Sequence, residues 1–465
     1  MKVIAQLIFV SCLLVTTFLL VKRIRFVWRN IASGKRQPIK DHRWKRFQRM
    51  ALMAFGQKKM FDRPLVAFLH LFIYLGFIIV NVEMLEIALD GILGTHRIFR
   101  PLLGDSYDFF INVFEFFAVT VIVGCIVFLC RRNIVKVKRL SARHEEMKSW
   151  PRLDANLILI TEVVLMIAFL IMNASGEILD NKVVYDCVMV PEDAMKRMTP
   201  QEIESMYVGY KVPIGELGFM VSRYLIPVFK GIDETILHII ERLTWWIHIL
   251  GVMAFAVYVT YSKHLHIFLA FPNTYFSRLQ SDGKMTNMPA ITKEVKSMLG
   301  IAEANETPSA EIARFGAKDS TDLSWKNLMD AYTCTECGRC TSVCPANLTG
   351  KKLSPRKIMM DTRDRMEELG RIRDKGIDVE KAKTLLDDYI TREEVMACTT
   401  CNACVDACPV LINPLDIILE LRRFISMEES KAPASWNAMY ANIETSFTPW
   451  KFSPSDRFNW ITKLS

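Results

Sequence analysis

Five stretches of this chain, residues 3–21, 65–88, 108–130, 155–174 and 243–262, are long and apolar enough to cross a bilayer. A spanning helix needs about 20 such residues. Inside hydrocarbon every backbone N–H and C=O must find an internal partner, so segments like these fold as helices. They occupy the N-terminal part of 465 residues, of which 51% are hydrophobic and 23% charged. That mixture requires greasy and polar regions to be segregated along the chain. The first stretch has no polar n-region of any length and no small-residue cleavage site, and Lys22, Arg23, Arg25 and Arg29 follow it at once. A signal peptide is built otherwise, so this segment is read as a retained helix.

The basic residues predict an orientation. Residues 22–64 carry fourteen Lys/Arg and 131–152 carry eight, whereas 90–107 carry two. The long segment 175–242 has seven, against eleven Asp/Glu. By the positive-inside rule the first two connections are cytoplasmic and the other two lie outside. The N-terminus is then outside, and everything after residue 263 is cytoplasmic. The net charge of +9 is thereby assigned to topology and to anionic membrane lipids, and no nucleic-acid partner is expected. Leu217–Ile232 is apolar, but it is broken by Arg223 and too short to span. It is expected on the membrane surface or against the bundle.

Eight of the twelve cysteines fall in two runs: Cys334, Cys337, Cys340 and Cys344, then Cys398, Cys401, Cys404 and Cys408. Each run is C-x₂-C-x₂-C-x₃-C followed by Pro345 or Pro409. A disulfide framework would spread its cysteines through a small secreted domain. Zinc sites use C-x₂-C pairs with four ligands in all. The full spacing is that of two [4Fe–4S] clusters, in which three thiolates of a run hold one cubane and the fourth holds the other. One cluster is therefore expected on Cys334, Cys337, Cys340 and Cys408. The second is expected on Cys398, Cys401, Cys404 and Cys344.

Histidines inside membrane helices are costly and usually functional. His70 lies about two turns into the second span, His248 in the outer half of the fifth, and His264 and His266 at its inner end. On one continuous helix His248 and His266, five turns apart, would face one direction about 27 Å apart, with His264 on nearly the opposite side. A bis-histidine haem takes one imidazole from each of two helices, and His70 is the only candidate on another span. One b-type haem is expected, and a second lacks an obvious partner. The alternative for each histidine is a helix-bridging hydrogen bond. His96 and His238 are expected at the outer surface. Glu83, Glu86, Glu115 and Glu162 could carry protons for a quinone, or mark helix ends and ion pairs.

Between the two cysteine runs, Ser354–Leu369 and Val379–Tyr389 read as amphipathic helices, with no strand signature. The segment from Lys431 onward is rich in Trp, Tyr and Phe and has no core of its own, which suggests a docking surface.

With these residues in hand, the five-helix part resembles the cytochrome b subunit of respiratory nitrate reductase and the membrane subunit of heterodisulfide reductase. The matching residues are His70 in Pro64-Leu-Val-Ala-Phe-Leu-His70, and His248 and His266. Where the nitrate-reductase pattern has a second histidine on the second helix, this chain has Val80. The stretch from Trp245 to His266 looks like fused bacterial haem and iron–sulfur oxidoreductases, some of which resemble electron-transfer-flavoprotein:quinone oxidoreductases. The C-terminal part is similar to the two-cluster subunit of heterodisulfide reductase. No CCG-type cysteine run is present, so the resemblance implies a catalytic module on a separate polypeptide.

The sequence therefore reads as an all-α protein. A transmembrane five-helix cytochrome b bundle occupies residues 1–272 and a linker 273–325. A cytoplasmic α-helical two-cluster ferredoxin-like domain spans 326–430, and a partner-docking tail 431–465. The expected role is an electron-transfer subunit of a quinone-linked oxidoreductase in the bacterial inner membrane. It would relay electrons between the quinone pool and a cytoplasmic flavoprotein or CCG-domain subunit, and its catalytic residues are unassigned. A redox-linked transporter or sensor is the alternative, although the spans show no inverted repeat or paired broken helices. A cluster scaffold on a haemless membrane anchor is the third possibility.

Overall fold

The computed structural model describes all residues except 1, 96, 105, 141–144, 189–218, 230, 282, 302–313, 378–382, 432 and 462–465. His96 and much of the segment after the fourth span lie outside the described residues. The chain divides into two compact units. The first comprises Met1–Trp28, Trp44–Tyr275 and Thr335–Gly338. The second comprises Arg29–Arg43, Phe276–Cys334 and Arg339–Ser465.

In the first unit the spanning candidates are α1 (Lys2–Ala32), α3 (Pro64–Leu93), α4 (Ser106–Asn133), α5 (Trp150–Val188) and α6 (Glu234–Val259), with the short α2 (Arg43–Met50) after α1. Five helices among the described residues are long and apolar enough to cross a membrane. Their ends follow local chemistry. Pro64 opens α3, where a missing N–H costs nothing. Gly94, at φ +71°, closes it by returning its N–H to the Asp90 carbonyl, the left-handed stop that glycine adopts without strain. The Asp233 carboxylate caps α6 by accepting from the Thr235 N–H at 2.9 Å.

Helices α3, α4, α5 and α6 pack in sequence, each on the next. The N-terminal part of α1 joins them through Phe9, which is buried with Ile87, Ile249 and Met253. Tyr107, Phe114, Phe169 and Phe219 form a second core between α4 and α5. Leu14, Phe18, Phe68 and Phe109 are exposed on the outside of this unit. Close approach at small residues shapes the packing, as it commonly does between apolar helices. A Cβ on Gly91 would lie 2.6 Å from the Phe9 ring, and one on Gly251 would lie 2.5 Å from a Leu165 methyl. Replacing Gly91 with Val is expected to destabilise the bundle by about 1–3 kcal/mol through overpacking. Thermal denaturation of the detergent-purified chain measures this, and an unchanged transition would contradict the contact.

One expectation fails here. The fifth span ends at Val259; Thr260–Ser262 then turn, and α7 (His266–Tyr275) begins afresh. The physical cause lies in local hydrogen bonds. Thr260 Oγ1 bonds back to the Val257 carbonyl at 2.7 Å, and the Ser262 hydroxyl accepts from the His264 N–H at 2.9 Å. Side chains of this kind offer the backbone an alternative to the helix ladder. His248 and His266 therefore do not share one continuous helix.

In the second unit the longer helices are α8 (Pro289–Met298), α9 (Trp325–Thr333), α10 (Pro355–Asp374), α11 (Pro414–Arg423) and α12 (Ala434–Ser446). Among the described residues there are two isolated bridges, Lys35 with Ser324 and Leu386 with Ile390, and no sheet. Ser324 opens α9 with a capping box to Asn327, and the Ser354 side chain caps α10. Leu328, Ile358, Met359, Ile417, Ile418 and Leu421 form an apolar interior. Arg365 is buried among them. It gives Nη2 to Asp319 at 2.6 Å, Nε to the same carboxylate at 2.9 Å and Nη1 to Glu368 at 2.7 Å.

The helix expected over Ser354–Leu369 is present and runs on to Asp374. The one expected over Val379–Tyr389 is not found in the described part of that range. Leu386 is extended and Asp387 sits at φ +80°. Here the backbone serves other partners, with the Leu385 N–H donating to Asp319 and the Leu386 N–H to the Lys318 carbonyl. The aromatic tail holds α12, which periodicity did not reveal. Beyond it Phe447, Trp450, Phe452, Phe458 and Trp460 are all exposed.

Candidate functional site

The two cysteine loops share a backbone signature. Glu336 and Gly338 lie at φ +55° and +71°, and their counterparts Thr400 and Asn402 at +57° and +62°. Gly and Asn tolerate left-handed angles, whereas Glu and Thr do so at a cost. The same bend in both loops, at the same offset from the first cysteine, therefore reflects a shared requirement. Successive N–H groups turned into such a loop make a concavity for negative charge, which suits a thiolate-held cluster. The Thr400 N–H donates to Cys398 Sγ at 3.4 Å and the Ile412 N–H to Cys408 Sγ at 3.3 Å. Hydrogen bonds to ligating sulfurs are one lever on a cluster's potential.

The second set of thiols, Cys344, Cys398, Cys401 and Cys404, lies within the second unit. Cys344 and Cys404 are buried, and Cys401 is exposed. Burial, followed by the charges of Cys398, Cys344 and Cys401, pushes the Cys404 thiol up to about 12. Burial also raises Cys398, which feels Cys344 and Cys401 as well. The charge of Cys344 thus acts on two cysteines of the later run, Cys398 and Cys404. Leu415 and Leu419 of α11 pack on this group. Arg422 holds the loop from behind, giving Nη2 to the carbonyls of Val395 and Cys398 at 2.8 Å each. Thiols in a curved loop, partly buried, with N–H groups and a cation nearby are the chemistry a cubane uses, although among the described residues no group of three or more His, Cys, Asp or Glu side chains is drawn together to hold a metal ion.

The histidines separate into two places. His248 is 1% exposed, and its Nδ1 lies 2.9 Å from the Leu165 carbonyl. That carbonyl can only accept, so it fixes the proton on Nδ1 and leaves Nε2 with the lone pair. His266 does the same with the Lys263 carbonyl at 3.0 Å, and His70 Nδ1 meets Gln57 Oε1 at 3.0 Å. Such partners orient an imidazole for ligation. His264 and His266 stand edge to face with ring centres 5.5 Å apart. Burial, then the charges of His266 and His70, hold the His264 imidazole down to about 3. His70, His264 and His266 therefore gather at one end of the bundle. His248 lies eleven residues (259 − 248) before the end of α6, about 16 Å along its axis. His264 Nε2 faces Glu162 at 3.5 Å. His238 is exposed beside Glu234. Gln57, buried at φ +48°, escaped the sequence reading because a lone glutamine in a short connection carries no signal.

The carboxylates of the apolar helices also divide. Glu86 accepts from the Phe99 N–H at 2.9 Å and the Tyr107 hydroxyl at 3.1 Å. Glu115 accepts from Asn173 and from the N–H groups of Val221 and Ser222. These two tie segments to the bundle. Glu83 is buried with Oε2 unpartnered. Within the first unit, Glu336 of the segment Thr335–Gly338 accepts from Lys263 Nζ at 2.5 Å, and the Cys337 carbonyl accepts from Arg139 Nη1 at 2.8 Å. Lys263 directly precedes His264, so this segment and the gathered histidines share a neighbour.

The fold and these loops define a helical iron–sulfur electron-transfer protein with five apolar helices. Residues 333–412 match the 4Fe-4S dicluster domain. The chain is similar to the probable iron-sulfur-binding oxidoreductase FadF of Bacillus subtilis, 27% identical over 462 residues, covering 92% of this chain and 57% of that protein. It is also similar to the EtfAB:quinone oxidoreductase of Syntrophomonas wolfei, 24% identical over 432 residues, with 88% and 53% covered. A third relative is the probable membrane-anchored ferredoxin of Chromohalobacter salexigens, 31% identical over 169 residues, 33% of this chain and 25% of that one. The chain spans little more than half the length of the first two. No solved structure matches it.

Proposed function

We propose that this chain is a membrane-bound electron-transfer subunit, relaying electrons between a redox partner on the cytoplasmic side and the quinone pool. The observation that carries the reading is the pair of matched cysteine loops in a chain with five apolar helices. Two [4Fe–4S] clusters and haem b supply one-electron chemistry when bound. Cys334, Cys337, Cys340 and Cys408 would hold one cluster, and Cys398, Cys401, Cys404 and Cys344 the other. His70, His248 and His266, each with Nδ1 engaged, are the proposed haem ligands, and His264 completes the histidine group. The partner is a flavoprotein or a heterodisulfide-reductase-like subunit, by analogy with the relatives' names. The excess of basic residues in the first and third connections supports a cytoplasmic position for the clusters in a bacterium, with the N-terminus outside.

Lys263 and Arg139 would hold the first loop in register by gripping Glu336 and the Cys337 carbonyl. Arg422 does the same for the second loop. Optical and EPR spectra of the purified chain test the reading by counting haems and clusters together. Replacing His248 with Ala is expected to remove b-type haem absorbance while the cluster EPR signals persist. A chain with no haem band, or one in which His248→Ala keeps the full band, would refute the haem assignment.

A further inference from the structure

At the end of the bundle that carries the α3–α4 connection, a cavity of ≈ 40 Å³ is lined by Glu83, Glu86, Asp90, Arg97, Asn173 and Trp245, among others. One water needs roughly 10–15 Å³, so the cavity has room for more than one. Glu83, Glu86 and Asp90 lie on one face of α3 at i, i+3 and i+7. Two of them are committed to architecture. Glu86 holds Phe99 and Tyr107 as described. Asp90 accepts from Thr95 Oγ1 at 2.6 Å and from the N–H groups of Arg97 and Ile98 at 2.7 and 3.2 Å. Arg97 in turn donates to Glu177 at 3.0 Å.

Glu83 differs. It is 5% exposed, and its Oε2 has no hydrogen-bond partner. A buried carboxylate oxygen without a hydrogen-bond donor is costly, so a proton or a cavity water must serve the oxygen that no side chain serves. We propose that Glu83 is a proton-transfer site, which hands a proton through cavity water to a quinone and recovers it from the polar end of the cavity. The inference rests on the quinone-linked reading above. Under the positive-inside orientation that polar end faces outward.

The step balances. Quinone takes two electrons from the reduced clusters and two protons to become quinol. The O–H bond of the Glu83 acid breaks as a quinol O–H bond forms. The carboxylate then regains a proton from water, and a second passage supplies the second proton. Glu→Gln keeps shape and removes the exchangeable acid, and since Oε2 holds nothing, the fold should tolerate it.

The test uses the full chain in nanodiscs, with dithionite as reductant and a soluble menaquinone analogue as oxidant. In E83Q, reoxidation of the clusters by quinone is expected to slow by about 100-fold, the typical contribution of a positioned acid. Dithionite reduction should be unchanged, and E83D should recover part of the rate. Redox-difference infrared spectra should show a deuterium-sensitive acid carbonyl band that E83Q lacks. An E83Q chain that keeps both the band and the quinone rate would overturn the proposal. Should the wild-type chain fail to react with quinone at all, the quinone-linked reading falls. The infrared band then still decides whether Glu83 exchanges a proton.

Discussion

Replacing Cys344 with Ser is expected to remove the same cluster that Cys401→Ser removes, and to spare the one that Cys337→Ser removes. The basis is the crossed ligation expected from the spacing. Cys344 closes the first run in sequence, yet its charge acts on Cys398 and Cys404 of the second. A serine there leaves a cubane with three thiolates and a poor fourth ligand. Because thiolate ligation and cluster binding are one equilibrium, the effect should be nearly all or none, about half of the bound iron. Iron content and EPR of the three variants make the comparison. Were Cys344→Ser to match Cys337→Ser in the signal it loses, the crossed ligation would be wrong.

How much of this was legible in the sequence depended on the range of the interaction. The cysteine spacing is a local code, and both loops bend alike at Glu336 and Thr400. The apolar runs were equally plain, because their length and composition stand out locally. The break after Val259 was not, since it rests on two hydroxyls, Thr260 and Ser262, which elsewhere sit in helices without stopping them. The histidine geometry built on a continuous helix failed with it. Nor could periodicity foresee that Leu385–Tyr389 would unwind, because Asp319, more than sixty residues earlier, takes the Leu385 N–H. The exchange of short segments between the two units, Arg29–Arg43 and Thr335–Gly338, is likewise invisible to any linear division. The carboxylates of the apolar helices looked alike in sequence, and only their partners told Glu83 from Glu86 and Glu115.

Replacing Arg365 with Met is expected to cost the second unit about 3 kcal/mol. The guanidinium is 1% exposed, while Asp319 and Glu368 keep 16% and 28%. Breaking a buried pair by removing one partner typically costs 3–5 kcal/mol, because the remaining charge is left uncompensated. Partial exposure of both carboxylates puts this case at the lower end. The loss should be largest through Asp319, which also accepts from the Ser320 and Leu385 N–H groups and so fixes the turn before α9 and the unwound segment together. Asp319→Asn in the Arg365→Met background should restore part of the stability, since an amide keeps one acceptor and sheds the orphaned charge. A chain with two units need not unfold in one step, so the readout is the denaturant concentration at which cluster absorbance bleaches. That midpoint should fall in Arg365→Met and recover partly in the double variant. An unchanged midpoint in the single variant would mean that the pair is dispensable to the cluster-bearing unit.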